Sequence, residues 1–150
     1  MNEEIFKIAL DEAKKGVELG DGGPFGAVIV DKEGNIISSA HNMVLGKNDP
    51  TAHAEVTAIR KACEIKHTHD LSDCTIYSSC EPCPMCLSAI IWSNIKTVYY
   101  SSTRKDAAKI GFRDDAIYEF LSGNNNILNK EKISNQECDE FLKKYDKELY

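Results

Sequence analysis

The sequence has no apolar run that approaches the length of a membrane span, and no repeats or low-complexity segments. Its first residues, Met1 to Glu4, lack a basic start followed by an apolar run, so neither secretion nor membrane insertion is expected. Basic residues are also scarce, since 18 Lys and Arg face 24 Asp and Glu and no basic block is present. Because the phosphates of nucleic acids need clustered cations, this balance argues against a nucleic-acid partner. We expect a cytoplasmic protein without a membrane role.

The composition fits one ordinary globular domain. A chain of 150 residues that is 42% hydrophobic is long enough to bury a core, so residues 1–150 are expected to form a single domain. Six cysteines are present. In a chain of this size without a signal peptide, thiols are more often reduced than paired, and a C-x-x-C cluster more often binds a metal.

Hydrophobic periodicity predicts helices alternating with buried strands. Helices are expected from the cap residue Asn2 to about Leu19, from Asp49-Pro50 onward, after Pro84, and after the capping-box spacing of Ser134 to Glu137. Strands are expected at 25–30, 35–40, 75–79 and 95–100, with a short edge strand at 127–133. The first two strands form a hairpin, and the third and fourth form a parallel pair around a crossover helix. The predicted fold is an α/β/α three-layer sandwich with a central five-stranded mixed sheet.

Three thiols fall within seven residues, in the run Cys80-Glu81-Pro82-Cys83-Pro84-Met85-Cys86. Cys83 and Cys86 are three apart at a predicted helix start, so both sulfurs can reach one ion, and the helix N-terminus favours their thiolate forms. Upstream, His53 lies at the start of another predicted helix. Thiolate and imidazole ligands at this spacing indicate a zinc site.

The role of Cys80 decides between two kinds of zinc site. With Cys80 as a ligand, the site would be a closed Cys3His centre, typical of a non-catalytic zinc module. However, Glu81-Pro82 must turn the chain between Cys80 and Cys83, so the Cys80 sulfur need not point toward the ion. Glu55 favours catalysis, because a hydrolytic site needs a base beside the metal-bound water. We therefore expect Zn2+ bound by His53, Cys83 and Cys86, with Glu55 as the catalytic base.

The pattern His53-x-Glu55 with Pro82-Cys83-x-x-Cys86 is the signature of zinc-dependent nucleobase deaminases. Together with Gly23–Val30, His41-Asn42 and Asp49–Glu55, it resembles the cytidine deaminase superfamily over at least residues 1–105. Within that superfamily the chain is most similar to the small bacterial guanine deaminases. That similarity lies in Asp106-Ala107-Ala108, Gly111-Phe112, Asp114-Asp115, Ile117-Tyr118 and Glu148-Leu149-Tyr150.

This resemblance implies a cytidine deaminase-like fold and the hydrolysis of a free purine base, guanine to xanthine plus ammonia, with water as co-substrate. Zinc lowers the pKa of its bound water, and Glu55 takes the proton so that hydroxide attacks the carbon bearing the amine. Glu55 then protonates a ring nitrogen and the departing amine.

The resemblance also implies substrate contacts and an assembly. Asn42 and the backbone of Ala54 are expected to bind the base, Phe25 to line the pocket, and Asp114 and Tyr150 to recognise the purine or close the pocket. The residues themselves leave other roles open: Asn42 as a turn residue, Phe25 as a buried strand residue and Asp114 as a surface acid. A homodimer is implied, with residues 127–150 as a segment that could be exchanged between subunits.

A tRNA adenosine deaminase is the alternative enzyme, because that group shares the zinc motifs and the core. It usually carries a Lys-Thr-Gly-Ala-Ala-Gly-Ser-like stretch, where this chain has Lys105-Asp106-Ala107-Ala108-Lys109-Ile110-Gly111. It also usually has Leu-Glu-Pro-Cys, where this chain has Cys80-Glu81-Pro82-Cys83. These departures and the acidic balance favour a free base over RNA.

Overall fold

A mixed sheet of four strands forms the centre of the computed structural model, which describes residues 1–150. In chain order the strands are β1 (Gly26–Val30), β2 (Ile36–His41), β3 (Thr75–Cys80) and β4 (Val98–Ser102). They lie in the order β2-β1-β3-β4. Strand β1 is antiparallel to both β2 and β3, and β3 is parallel to β4. The predicted hairpin and the predicted parallel pair are both present.

The prediction of a five-stranded sheet is wrong, because the edge strand expected at residues 127–133 does not form. This stretch has no regular structure, and Ile127, Leu128 and Ile133 are exposed. A strand forms where a neighbouring strand offers its N–H and C=O groups, so apolar content without such a neighbour is not enough. The segment pairs with no strand of the sheet.

Seven helices complete the fold: α1 (Glu3–Glu18), α2 (Val44–Lys47), α3 (Ala54–Lys66), α4 (Pro84–Trp92), α5 (Arg104–Lys109), α6 (Asp114–Leu121) and α7 (Gln136–Lys143). The side chain of Asn2 accepts the N–H of Glu4 and caps α1, as predicted. The cap of α7 is Asn135 rather than Ser134, since the Asn135 side chain accepts the N–H of Cys138. None of the seven helices is long and apolar enough to cross a membrane.

The two faces of β1 pack against different helices, and this makes the fold three-layered. Val28 and Val30 join the apolar cluster that contains Ile5 of α1. Ala27 and Ile29, which point the other way, pack in the cluster formed by α3 and α4. Successive side chains of a strand point to opposite faces, so a strand covered on both sides is buried along its whole length.

Helix α3 begins later than the predicted start at Asp49-Pro50. The Asp49 carboxylate accepts hydrogen bonds from the N–H and hydroxyl of Thr51, so this stretch forms a turn instead of a helical cap. As a result His53 is the residue immediately before α3, and Cys83 holds the same position before α4. The tertiary structure brings these two helix starts together at the end of β3 where Cys80 lies.

Candidate active site

Three metal-binding side chains meet where α3 and α4 begin. The Nδ1 atom of His53 lies 3.5 Å from the Sγ of Cys83 and 3.4 Å from the Sγ of Cys86. All three ligand atoms lie within 4.8 Å of one another, and both cysteines are buried. Pro84 opens α4 at a position where a missing N–H costs nothing, so that Cys83 and Cys86 face the same side one turn apart.

The charge states of this group suit a soft divalent metal. The Cys83 thiolate accepts hydrogen bonds from the Cys86 thiol and from His53, which lowers the pKa of Cys83 to about 4. The same pairing with Cys83, together with burial, raises the pKa of the Cys86 thiol. The hydrogen bond to Cys83 also raises the pKa of His53. Two sulfurs and one imidazole within reach of one ion are the donor set that zinc takes when three protein ligands hold it.

Cys80 lies outside this group. Its Sγ is 3.6 Å from the backbone carbonyl of Thr103, to which the thiol donates. Burial raises the pKa of the Cys80 thiol to about 11, so it stays protonated at neutral pH. A protonated thiol aimed at a carbonyl is a poor ligand, because metals bind the thiolate.

Glu55 lies in the first turn of α3, and only 5% of its surface is exposed. Its Oε1 lies 2.6 Å from the Oγ of Ser78 in β3, and the same Oγ lies 2.6 Å from the carbonyl oxygen of Cys80. A hydroxyl has one proton and two lone pairs, so Ser78 can donate to the Glu55 carboxylate, or accept from a protonated Glu55 while donating to Cys80. No motif singled out Ser78. Its only sequence signal is a polar residue in the middle of a buried strand.

A pocket of about 460 Å3 opens beside these groups, and His53, Glu55 and Cys83 line its floor. Of the residues predicted to contact substrate, Phe25, Asn42 and Asp114 line its walls. Ala54 is fully buried at the start of α3 and is not a lining residue. Tyr150 lies elsewhere: it is 76% exposed, and its ring is 6.0 Å from that of Trp92.

The side chain of Asn42 is held in a fixed direction. Its Oδ1 accepts the N–H of Val44 at 3.0 Å, and its backbone N–H donates to the carbonyl of Phe25. One lone pair of the amide carbonyl is therefore engaged, and this contact leaves both protons of the NH2 group free to donate to a ligand. A Cβ at Gly22 would overlap this Oδ1, so only glycine at that position leaves room for Asn42.

Comparison with known proteins agrees with this arrangement. The family model of the cytidine and deoxycytidylate deaminase zinc-binding region matches residues 1–102. The chain belongs to this deaminase family. Guanine deaminase of Bacillus subtilis is 57% identical over 120 residues, which are 79% of this chain and 76% of the relative.

A solved structure and a second relative extend this comparison. The crystal structure of guanine deaminase from Bacillus subtilis superimposes with a TM-score of 0.90 at 44% identity, covering 100% of this chain and 99% of the other. The tRNA-specific adenosine deaminase of Aquifex aeolicus is 49% identical over 106 residues, which are 70% of this chain and 69% of the relative. The cytidine deaminase-like fold and the zinc-binding deaminase motifs are therefore both present in this chain.

Phe112 and Arg113 line the pocket of this deaminase although neither was predicted as a site residue. The Phe112 ring packs edge-on against Phe25, with 4.8 Å between ring centroids. Asp114 follows directly, and burial raises the pKa of its carboxyl. The turn that presents these residues depends on Gly111, whose φ of +100° is one that side-chain-bearing residues rarely adopt.

Contacts from the zinc motif hold this part of the pocket wall in place. The Glu81 carboxylate accepts the N–H of Arg104 at 3.0 Å at the start of α5. The Tyr118 hydroxyl of α6 donates to the carbonyl of Pro82 at 3.3 Å. The Arg104 guanidinium lies over the Tyr118 ring, 4.1 Å from its centroid, and so connects the two helices. Glu81 thus joins the metal site to the α5–α6 segment that carries Phe112.

Proposed function

We propose that this protein hydrolyses guanine to xanthine and ammonia. The observation that carries the proposal is the buried carboxylate of Glu55 beside the His53, Cys83 and Cys86 group, at the floor of a pocket whose walls include Asn42 and Asp114. Guanine deaminase of Bacillus subtilis, at 57% identity, supports guanine as the base.

Glu55 serves as the proton carrier of the proposed reaction. Zinc held by His53, Cys83 and Cys86 would supply a Lewis acid that brings the pKa of water near neutrality. Glu55 takes a proton from the attacking water, whose oxygen forms a bond to C2 of guanine. Glu55 delivers that proton to N3 and then carries the remaining proton of the new C2 hydroxyl to the exocyclic amine. The bond between C2 and the exocyclic nitrogen breaks, ammonia leaves and a carbonyl forms at C2. Ser78 holds the carboxylate through both steps, because its hydroxyl can donate or accept.

The base is bound by groups that differ in hydrogen-bonding character. The NH2 group of Asn42 donates to an acceptor on the purine, and the Asp114 carboxylate accepts from its N–H groups. The proposed second donor is the backbone N–H of Ala54, which has no partner within the helix, although Ala54 is buried and does not line the pocket. Phe25 and Phe112 contact the apolar faces of the ring.

We further propose a cytoplasmic homodimer in which residues 127–150 are exchanged, so that Tyr150 closes the partner's pocket. Helix α7 has no buried residue, and its Phe141 and Leu142 are exposed. An amphipathic helix whose apolar side is uncovered gains stability by packing on another subunit. The exposed Tyr150, which does not line the pocket of its own chain, supports the same arrangement.

The deciding experiment measures ammonia release from guanine, adenine, cytosine, guanosine and a tRNA anticodon stem-loop. We expect turnover of guanine, and Glu55→Gln should lower it by about 10²- to 10⁴-fold with zinc content unchanged. Turnover of the stem-loop adenosine without turnover of guanine would instead make the protein a tRNA deaminase, which the Aquifex aeolicus relative makes the second candidate. Full activity in Glu55→Gln would refute both. The Cys3His module is disfavoured by Cys80, whose thiol faces Thr103.

A further inference from the structure

His41, at the end of β2, lies between two carboxylates. Its Nδ1 is 2.7 Å from the Oε2 of Glu12 in α1, and its Nε2 is 2.8 Å from the Oδ2 of Asp21 in the loop after α1. The imidazole is 12% exposed. A neutral imidazole has one N–H, so only the imidazolium can donate to both carboxylates. Both bonds are then charge-assisted, and these are shorter and stronger than neutral ones.

The packing around the imidazole is specific. A Cβ at the buried Gly16 of α1 would lie 2.7 Å from the Cδ2 of His41 and 2.8 Å from its Cγ, so the ring lies directly on the helix backbone at a glycine. The titratable groups against His41 are Glu12 from α1 and Asp21 from the loop. From β2, the Ser39 hydroxyl donates to the second oxygen of Glu12 at 3.3 Å.

One partner of His41, Asp21, and its chain neighbour Asn42 connect it to the pocket wall proposed to bind the base. The carbonyl of Asp21 accepts the N–H groups of Leu45 and Gly46, each at 2.9 Å. Gly22, the next residue after Asp21, lies against the Asn42 side chain. Asn42 itself is the residue after His41, and Gly22, Asn42 and Leu45 all line the pocket.

We propose that His41, as an imidazolium bonded to both Glu12 and Asp21, is a positioning residue that sets the location of Asn42 and of the loop around Gly22. This inference rests on the proposed function, since it assigns the base-binding side of the same pocket. The metal ligands and Glu55 lie at the starts of α3 and α4, either in the first turn or immediately before it, and His41 hydrogen-bonds to none of them. Loss of the imidazolium therefore weakens base binding and leaves the chemical step largely intact.

The test uses His41→Gln in the zinc-loaded enzyme. We expect KM for guanine to rise by about tenfold, with kcat and zinc content within about threefold of wild type. His67→Asn, at an exposed histidine that caps α3 in the left-handed region, is the matched control and should change neither constant.

A second variant and a second readout keep the inference testable if His41→Gln folds poorly or guanine is not the substrate. Asp21→Asn keeps the shape but removes one charge, and it should shift KM in the same direction. Amide hydrogen exchange of Leu45 and Gly46 should become faster in both variants, whatever the enzyme's substrate. Unchanged KM and unchanged exchange would overturn the inference. So would a fall in kcat and zinc content at constant KM, which would mark a merely structural role.

Discussion

Replacing Ser78 with alanine tests whether Glu55 depends on its hydroxyl partner. The change deletes an oxygen 2.6 Å from the Oε1 of Glu55 and leaves the rest of β3 in place. Ser78 is 1% exposed, so water cannot easily take over the lost hydrogen bond. A hydrogen bond to a charged group contributes about 1.5–3 kcal/mol. If Glu55 needs this bond throughout the proton transfers, kcat should fall by about 10- to 100-fold, at tenfold per 1.36 kcal/mol.

The assay is steady-state ammonia release from guanine, with zinc content measured on the same samples. Ser78→Thr keeps the hydroxyl and should retain most of the activity. Ser38→Ala is the matched control, because the Ser38 hydroxyl is also buried and donates to a carbonyl, that of Ala58, at 2.8 Å. Ser38→Ala should lower the unfolding midpoint and leave kcat within about twofold of wild type. If kcat of Ser78→Ala matched that of Ser38→Ala, the role assigned to Ser78 would be refuted.

Three other outcomes are expected. Zinc binding to the metal-free protein near pH 7 should release between about one and two protons, because the raised pKa values keep Cys86 protonated and His53 partly protonated. Calorimetry in two buffers of different ionisation enthalpy measures the number of protons released. Release of no protons would contradict the assignment of His53 and Cys86 as zinc ligands. Asp114→Asn should raise KM for guanine more than it lowers kcat. Wild-type KM should rise as pH falls through the raised pKa of Asp114, since protonation removes the carboxylate that accepts from the base. A KM independent of pH would exclude Asp114 as a hydrogen-bond acceptor for the base. Deleting Tyr150 should raise KM, and mixing this variant with Glu55→Ala should restore activity only if the C-terminal segments are exchanged, because one site of the mixed dimer is then complete.

Spacing along the chain is enough to determine the core of the metal site. Cys83 and Cys86 share a helical turn, and Pro84 marks its start, so their juxtaposition follows from helix geometry alone. The pairing of β1 with β2 follows from a short polar connection between two apolar runs. Glu55 could be inferred because chemistry requires a base near the ion, and only one acid lies close to His53 on its helical side.

Contacts between distant segments could not be predicted in this way. Ser78 reaches Glu55 across 23 residues, and His41 reaches Glu12 across 29. Phe112 lies between α5 and α6, which contact the zinc motif at Glu81 and at Pro82 respectively. A side chain's partner in such cases depends on which elements pack together, and neither periodicity nor motif spacing encodes that.

The C-terminal part of the chain shows the same contrast between what local sequence predicts and what tertiary contacts decide. Apolar residues at 127–133 resemble a strand, yet they remain exposed because no strand edge pairs with them. Spacing within one element determined the Cys83–Cys86 pair, the presence of the longer helices and four of the five predicted strands, since those depend on neighbours along the chain. Only the tertiary structure decided three features: the Cys80 thiol points to Thr103, Ser78 bonds to Glu55, and Gly22 leaves room for the Asn42 side chain. Each depends on groups that folding brings together from distant parts of the chain.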